Sequence, residues 1–293
     1  MKRIIVYIII STTLFSSMEV VLKAVGNQLD AFQITFIRFL IGGLFLLPFA
    51  YKEIKRRGTK FTKADYRHMI LMGIVCICLS MSFFQLGVDN SNASTAAVIF
   101  CLNPLFTMVF AHFMTEEKLN KTKVIALCFG IVGIVFMINP WDVNPGDSLL
   151  GASFSFIAAL VFGLYSAMGR TSIHRLGGIT QTSLSFVFGS IAMFIVLLVA
   201  DKPIVSGINT GNIAMVLYVG VMVTGLGYLF YFLIMQISDA ATASIVFFIK
   251  PIFAPIMAVI LLNEAIRLNG IIGIALIFIS SYINLREHRR KVN

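Results

Sequence analysis

Four charged side chains stand inside long apolar stretches of this sequence: Glu19, Lys23, Arg38 and Lys250. A charge at membrane depth costs at least about 2.5–3.5 kcal/mol, so each is a candidate for function. Lys250 lies near the middle of its apolar run and directly precedes Pro251. A proline inside a helix leaves a carbonyl one turn earlier without its helical donor. Lys250 therefore sets a cation beside a free acceptor, which suits a substrate carboxylate; the competing reading is a lysine paired with an internal carboxylate. Asn103 also precedes a proline, Pro104, near the middle of its own run, and its amide both donates and accepts. Glu19 suits a substrate ammonium. It is also the candidate for proton coupling, taking up and releasing a proton as substrate comes and goes. Its competing reading is a salt bridge, either to Lys23 at i+4 on the same helix face or to Arg38 at similar depth. Arg38 is read chiefly as a structural ion-pair partner. Lys23 is expected to extend to the interface. Tyr165 and Tyr228, with Tyr231, lie inside apolar runs, where a lipid-facing hydroxyl would be unpartnered. They are expected to face the bundle interior and line a cavity. Pro104, Pro251, Gly225 and Gly227 are candidate bending or gating points.

The elements that must position these groups are membrane helices. The chain has 293 residues, 58% apolar and only 12% charged, with a mean hydropathy of +0.93. Average soluble proteins carry about 25% charged residues. A cytosolic enzyme, a nucleic-acid binder and a secreted disulfide scaffold are thereby set aside. A spanning helix needs about 20 apolar residues, and ten such runs occur, near 4–25, 31–51, 68–89, 93–115, 122–139, 149–169, 179–200, 211–235, 240–262 and 268–285. The expected fold is all-α and integral to the membrane. Lys2 and Arg3 begin the chain as a signal peptide would, but no small-residue cleavage site follows, so the first run is read as a spanning helix.

The net charge of +10 is mostly a topology signal. With the N-terminus in the cytoplasm, 18 of the 23 Lys and Arg residues fall on inner segments. Only Lys202 and Arg267 fall outside. The positive-inside rule then puts both termini in the cytoplasm. A basic tail at 286–293 follows the last run. Cys76, Cys78, Cys101 and Cys128 all lie in apolar runs and are read as packing residues. No metal-ligand spacing and no phosphate-binding G-x-x-x-x-G-K-[ST] loop occurs, so no metal, cofactor or ATP-driven step is expected.

The two halves of the chain match at one offset of 147 residues: Phe15 with Phe162, Phe39 with Phe186, Gly42 with Gly189, Gly73 with Gly220, Phe100 with Phe247, Pro104 with Pro251 and Glu117 with Glu264. Each half, 1–139 and 148–285, holds five runs. Five is odd, so the second half enters the membrane from the opposite side. Inverted repeats of this kind characterise secondary transporters, with substrate held between the halves.

Two stretches carry a family resemblance. One is Ala96-Ala97-Val98-Ile99-Phe100-Cys101-Leu102-Asn103-Pro104-Leu105-Phe106 leading to Glu117. The other is Ala243-Ser244-Ile245-Val246-Phe247-Phe248-Ile249-Lys250-Pro251-Ile252-Phe253 leading to Glu264. With Arg38-Phe39, they resemble the drug/metabolite transporter superfamily in its EamA branch of ten-helix carriers, built of two five-helix repeats. The resemblance implies a plasma (inner) membrane exporter of a small metabolite. Members move amino acids, amines, drugs and other metabolites, and some import. The expected function is secondary transport of an amino acid or related compound by alternating access, with Glu19 and Lys250 taking its two charges. The alternative is an exporter of organic cations or drugs that uses Glu19, with Lys250 structural. A membrane enzyme lacks clustered catalytic groups here, and a lipid-handling scaffold would leave the midplane charges purely structural. The expected partners are a small-molecule substrate, the lipid bilayer and protons, with no nucleic acid. A monomer or a homodimer suffices.

Overall fold

The computed structural model describes residues 2–26, 28–114, 121–141, 143, 146–237 and 240–292. Among them the regular structure is helical, with no strand. In chain order the helices are α1 (Lys2–Gly26), α2 (Ala31–Arg57), α3 (Lys63–Asp89), α4 (Ala93–Met114), α5 (Lys121–Ile138), α6 (Leu149–Leu176), α7 (Gly178–Val199), α8 (213–237), α9 (Ala240–Leu262) and α10 (Leu268–Val292). Eight of them, α1 to α8, are long and apolar enough to cross a membrane. The apolar parts of α9 and α10 at Ile249–Leu262 and Leu268–Ile283 are shorter. Large apolar side chains such as Ile9, Phe113, Ile195 and Ile260 are exposed on the outer faces. That is the arrangement expected where hydrocarbon is the solvent and every backbone group is satisfied within a helix. The protein is an all-helical, multi-pass membrane protein. The basic segment that follows the last apolar run continues the backbone of α10, which is helical to Val292. Glu117, matched to Glu264 by the repeat, lies outside the described residues.

Local chemistry ends the helices. Asp30 accepts from the backbone N–H groups of Phe32 and Gln33 and starts α2; Gly58, at φ 65°, ends it. Thr62 and Asp65 form a reciprocal capping box at the start of α3. Ser148 accepts from Gly151 N–H and starts α6. Two helices contain π-helical segments. α3 is π-helical over Ile74–Met81 and α8 over Tyr218–Gly227. In each, a buried hydroxyl donates to a carbonyl five residues back, Ser82 to Ile77 and Thr224 to Val219. Widened turns of this type are frequent at functional sites.

The contacts between helices repeat with the sequence offset. Phe100 packs on Phe84 of its own half and on Phe162 of the other. At the offset positions, Phe247 packs on Tyr231 and on Phe15. Ser80 Oγ donates to the Ala158 carbonyl, and Ser11 Oγ donates to the Gly227 carbonyl. Those are the same two positions with donor and acceptor exchanged between halves. Gly73 lies against Gly189, and Gly42 against Gly220. α2 packs along α7 and along the π-helical part of α8, while α5 packs chiefly along α10.

Polar contacts gather at two ends of the bundle. At one end Arg57 donates to the His174 carbonyl, Arg175 pairs with Asp65, and Glu53 meets Thr180. Lys202 pairs with Asp30 at the other end, where Ser148 also donates to the Asn90 carbonyl and Asn212 to Gln28.

Candidate functional site

Glu19 and Lys250 meet inside the bundle. Lys250 Nζ lies 2.6 Å from Glu19 Oε1, and both side chains are only 1% exposed. The residues belong to α1 and α9, which pack along each other. The two readings of these residues thus converge: the carboxylate that partners Lys250 is Glu19. The expected Glu19 pairing with Lys23 or Arg38 is corrected, since the short contact is to Lys250. Lys23 turns instead to the end of α3, donating to the carbonyls of Val88, Asp89 and Ser91 at 2.7–3.0 Å. A lysine at that place offsets the negative end of the α3 dipole.

The pair uses only part of what Glu19 offers. Its Oε2 is buried and has no hydrogen-bond partner among the described residues. Arg38 is in the same condition. It is 1% exposed, and its Nε and Nη2 have no hydrogen-bond partner among the described residues. Its remaining contacts are soft: Nη1 lies 3.4 Å from the Met18 sulfur, and the guanidinium sits 4.5 Å from the Phe39 ring centre. Arg38 is therefore not in an ion pair of the kind read from sequence, although Glu19 lies within its electrostatic reach. Thr12 and Ser16 hydroxyls are also buried and without a partner among the described residues. Thr12, Ser16 and Glu19 are spaced i, i+4, i+7, so they share one face of α1.

Aromatic rings surround this centre. Lys250 Nζ is 5.6 Å from the Phe100 ring. Phe15 stacks on Phe247 and meets Tyr228 edge-on, and Tyr228 meets Phe186 edge-on. Tyr228 thus joins the aromatic wall beside α1. Tyr165 is buried beside Phe162, with its hydroxyl in hydrogen-bonding reach of Ser185 and Thr182. It stands in the ring cluster built by Phe84, Phe100 and Phe162.

Asn103 turns to its own helix. Pro104 removes the donor for the Phe100 carbonyl, and Asn103 Nδ2 supplies it at 2.7 Å. α4 is interrupted at Cys101-Leu102 and resumes at Asn103. Asn103 thereby steadies the break. Pro251 lies inside the continuous helix α9, where the carbonyl it leaves without a donor is that of Phe247. Gly225 and Gly227 belong to the π-helical part of α8, where added Cβ atoms would run into the rings of Phe45 and Phe15. They are close-packing positions in an irregular segment.

Two carboxylates outside the centre cap helices: Glu264, whose place just past its apolar run reads in the sequence as solvated or helix-capping, and Glu53, which the sequence does not mark as a cap. Glu264 accepts from the backbone N–H groups of Ala93 and Ser94, at 2.6 and 3.1 Å, and from Ser94 Oγ. It caps the start of α4 from the far half of the chain. Glu53, 4% exposed, accepts from Thr180 N–H and Oγ1. It caps the start of α7. Gly177, at φ 88°, leaves the room this carboxylate occupies. In the sequence Glu53 is one acidic residue in a basic stretch. Only its i, i+4 spacing to Arg57, 3.6 Å away, gives a local signal.

An apolar hollow lined by Ile252, Pro255, Ile256 and Ile274 lies between the outer faces of α9 and α10. None of the groups above lines it.

Sequence comparison names the class of this all-helical membrane bundle with its buried ion pair. The EamA-like transporter family matches residues 2–139 and again 149–286. The chain belongs to the EamA-like transporter family and is a membrane transporter, not an enzyme. An uncharacterized transporter of Clostridium kluyveri is 37% identical over 99% of this chain and 95% of its own length. The S-adenosylmethionine uptake transporter of Rickettsia felis is 25% identical over 68% of this chain and 63% of its own. A solved crystal structure superposes with a TM-score of 0.67 at 17% identity, covering 97% of both chains. That likeness is one of fold.

Proposed function

We propose that this transporter is a ten-span secondary carrier that moves a small amino-acid-like zwitterion by alternating access, between two inverted repeats at 1–139 and 148–285. The observation that carries the reading is the buried Glu19–Lys250 pair. It joins a helix of the first repeat to a helix of the second. The family match falling twice on the chain, and contacts that repeat at the 147-residue offset, support the inverted repeat. Opposite charges side by side at depth suit a substrate that brings one of each. S-adenosylmethionine, for which the Rickettsia felis relative is named, carries an amino-acid headgroup. The basic segments support an inner-membrane topology with both termini in the cytoplasm. Glu19 is the group proposed to couple protons to the cycle. A carrier that alternates between two states runs down whichever gradient it meets, so direction follows from the gradients. Export is the direction proposed here.

Flux decides the matter. Purified protein in liposomes is loaded with radiolabelled amino acids, S-adenosylmethionine or quaternary amines. Efflux and uptake are then followed at matched and unmatched pH. Saturable amino-acid flux that disappears in Glu19→Gln and in Lys250→Ala supports the reading. Flux confined to amines, lost in Glu19→Gln and kept in Lys250→Ala, replaces it with cation export.

A further inference from the structure

We propose that Arg38 is the seat of the substrate carboxylate, and that the free oxygen of Glu19 takes the substrate ammonium while Lys250 stays on the other oxygen. The proposal rests on the carrier reading above and assigns its headgroup site.

The argument starts from which edges are free. Nε and Nη2 form the side-on edge of a guanidinium, the edge that grips a carboxylate through two parallel hydrogen bonds. In Arg38 both of those nitrogens are buried and without a hydrogen-bond partner among the described residues, while Nη1 faces only the Met18 sulfur. A buried guanidinium with an open fork is costly until an anion fills it. Glu19 presents the complementary case. Oε1 holds Lys250, and Oε2 is buried and open. One open donor edge and one open acceptor, on neighbouring helices where Arg38 Nη1 reaches the sulfur of Met18, the residue beside Glu19, match the carboxylate and the ammonium of an α-amino acid.

Charge leads to the same place. Glu19, Lys250 and Arg38 together leave one surplus positive charge, and the Lys250 charge is already met by Glu19. The surplus is on Arg38. Binding at the open edges also leaves the Glu19–Lys250 pair intact. A substrate that broke the pair would have to compensate a lysine buried at 1% exposure. Lysine could not replace Arg38 here, because an ammonium is a point donor with no planar fork. Thr12 and Ser16, on the Glu19 face of α1, offer further open hydroxyls to a substrate with polar substituents.

The test uses matched triads built on leucine, phenylalanine, methionine and glutamate: the amino acid, its decarboxylated amine and its deaminated acid. Each is titrated by thermal shift against the detergent-purified wild type, Arg38→Gln, Arg38→Lys and Glu19→Gln, with inorganic phosphate as a further probe. Arg38→Gln is expected to weaken the amino acid and the deaminated acid on the order of 10- to 100-fold, the range for hydrogen bonds to charged groups. Affinity for the amine should be unchanged. Arg38→Lys, which keeps the charge and loses the fork, should show the same selectivity with a smaller loss; it carries the test alone if Arg38→Gln does not fold. In Glu19→Gln the amine and the amino acid weaken and the acid does not. Carboxylate affinities that survive in the Arg38 variants overturn the proposal, as does a wild type that binds phosphate and no amino acid. A wild type that binds no probe at all defeats the amino-acid carrier reading instead.

Discussion

At the scale of single residues, the sequence made the charged centre legible and left its wiring open. Lys250, Glu19 and Arg38 stand out because hydrocarbon penalises every charge it contains. Which of them touch depends on how α1, α2 and α9 pack, and no local spacing encodes that. Spacing within α1 suggested Lys23 as the partner of Glu19, but Lys23 found stronger company in the carbonyls that end α3. Asn103 was legible as a polar group before a proline; its engagement with the Phe100 carbonyl follows from the donor that Pro104 lacks. The Glu19–Lys250 pair can be tested as a unit. Removing one member of a buried pair leaves an uncompensated charge and typically costs about 3–5 kcal/mol. Lys250→Met and Glu19→Gln should each lower thermal stability sharply, whereas the double variant should recover most of the loss. Transport should be absent in all three. A double variant as unstable as the sum of the singles would show that the two side chains act independently.

At the scale of elements, the apolar runs made the all-helical, membrane-spanning class legible because a spanning helix needs a fixed length of apolar chain. The interior details had no such signal. A π-helical turn differs from an α-helical one by a single shifted hydrogen bond, and the glycines of Tyr218–Gly227 and the apolar run of Ile74–Met81 do not by themselves encode that shift. The carboxylate caps by Glu53 and Glu264 reach across the chain, 127 and 171 residues from the backbone donors they accept from, and sequence spacing says nothing about such distances. The glycine matches were more informative than they looked. Gly73 aligns with Gly220 and Gly42 with Gly189 because the same close helix crossing is made twice. At Gly73 a Cβ would strike the backbone of α7 at Ser185 and Gly189, which cannot move aside as a flexible side chain would. Gly73→Ala is expected to destabilise by about 1–3 kcal/mol, the range for overpacking a close contact. Thermal melting in detergent measures it. A Gly73→Ala protein that melts like the wild type would mean that α3 and α7 cross less closely than described.

At the scale of the whole molecule, the two carboxylate caps tie the halves together at opposite ends. Glu264 of the second half holds the start of α4, and Glu53 of the first half holds the start of α7. Neither cap lies at the buried ion pair, the place proposed for substrate. Their positions matter for access. A carrier that alternates must open its two ends in turn, and each opening that separates the halves has to part the contacts on its own side. Locking either end should therefore stop a complete cycle while leaving the centre able to bind. Paired cysteines at Ser94 and Glu264, or at Glu53 and Thr180, would be introduced after Cys76, Cys78, Cys101 and Cys128 are replaced. A short bifunctional thiol reagent with a reducible bridge then closes each pair. Flux through liposomes is expected to fall to background on cross-linking at either end and to return on reduction. The thermal shift by substrate should persist in at least one locked form, because a carrier held open to one side still presents its site. Full flux with an end cross-linked would mean that the halves do not separate there, and the path would then have to open between other helices.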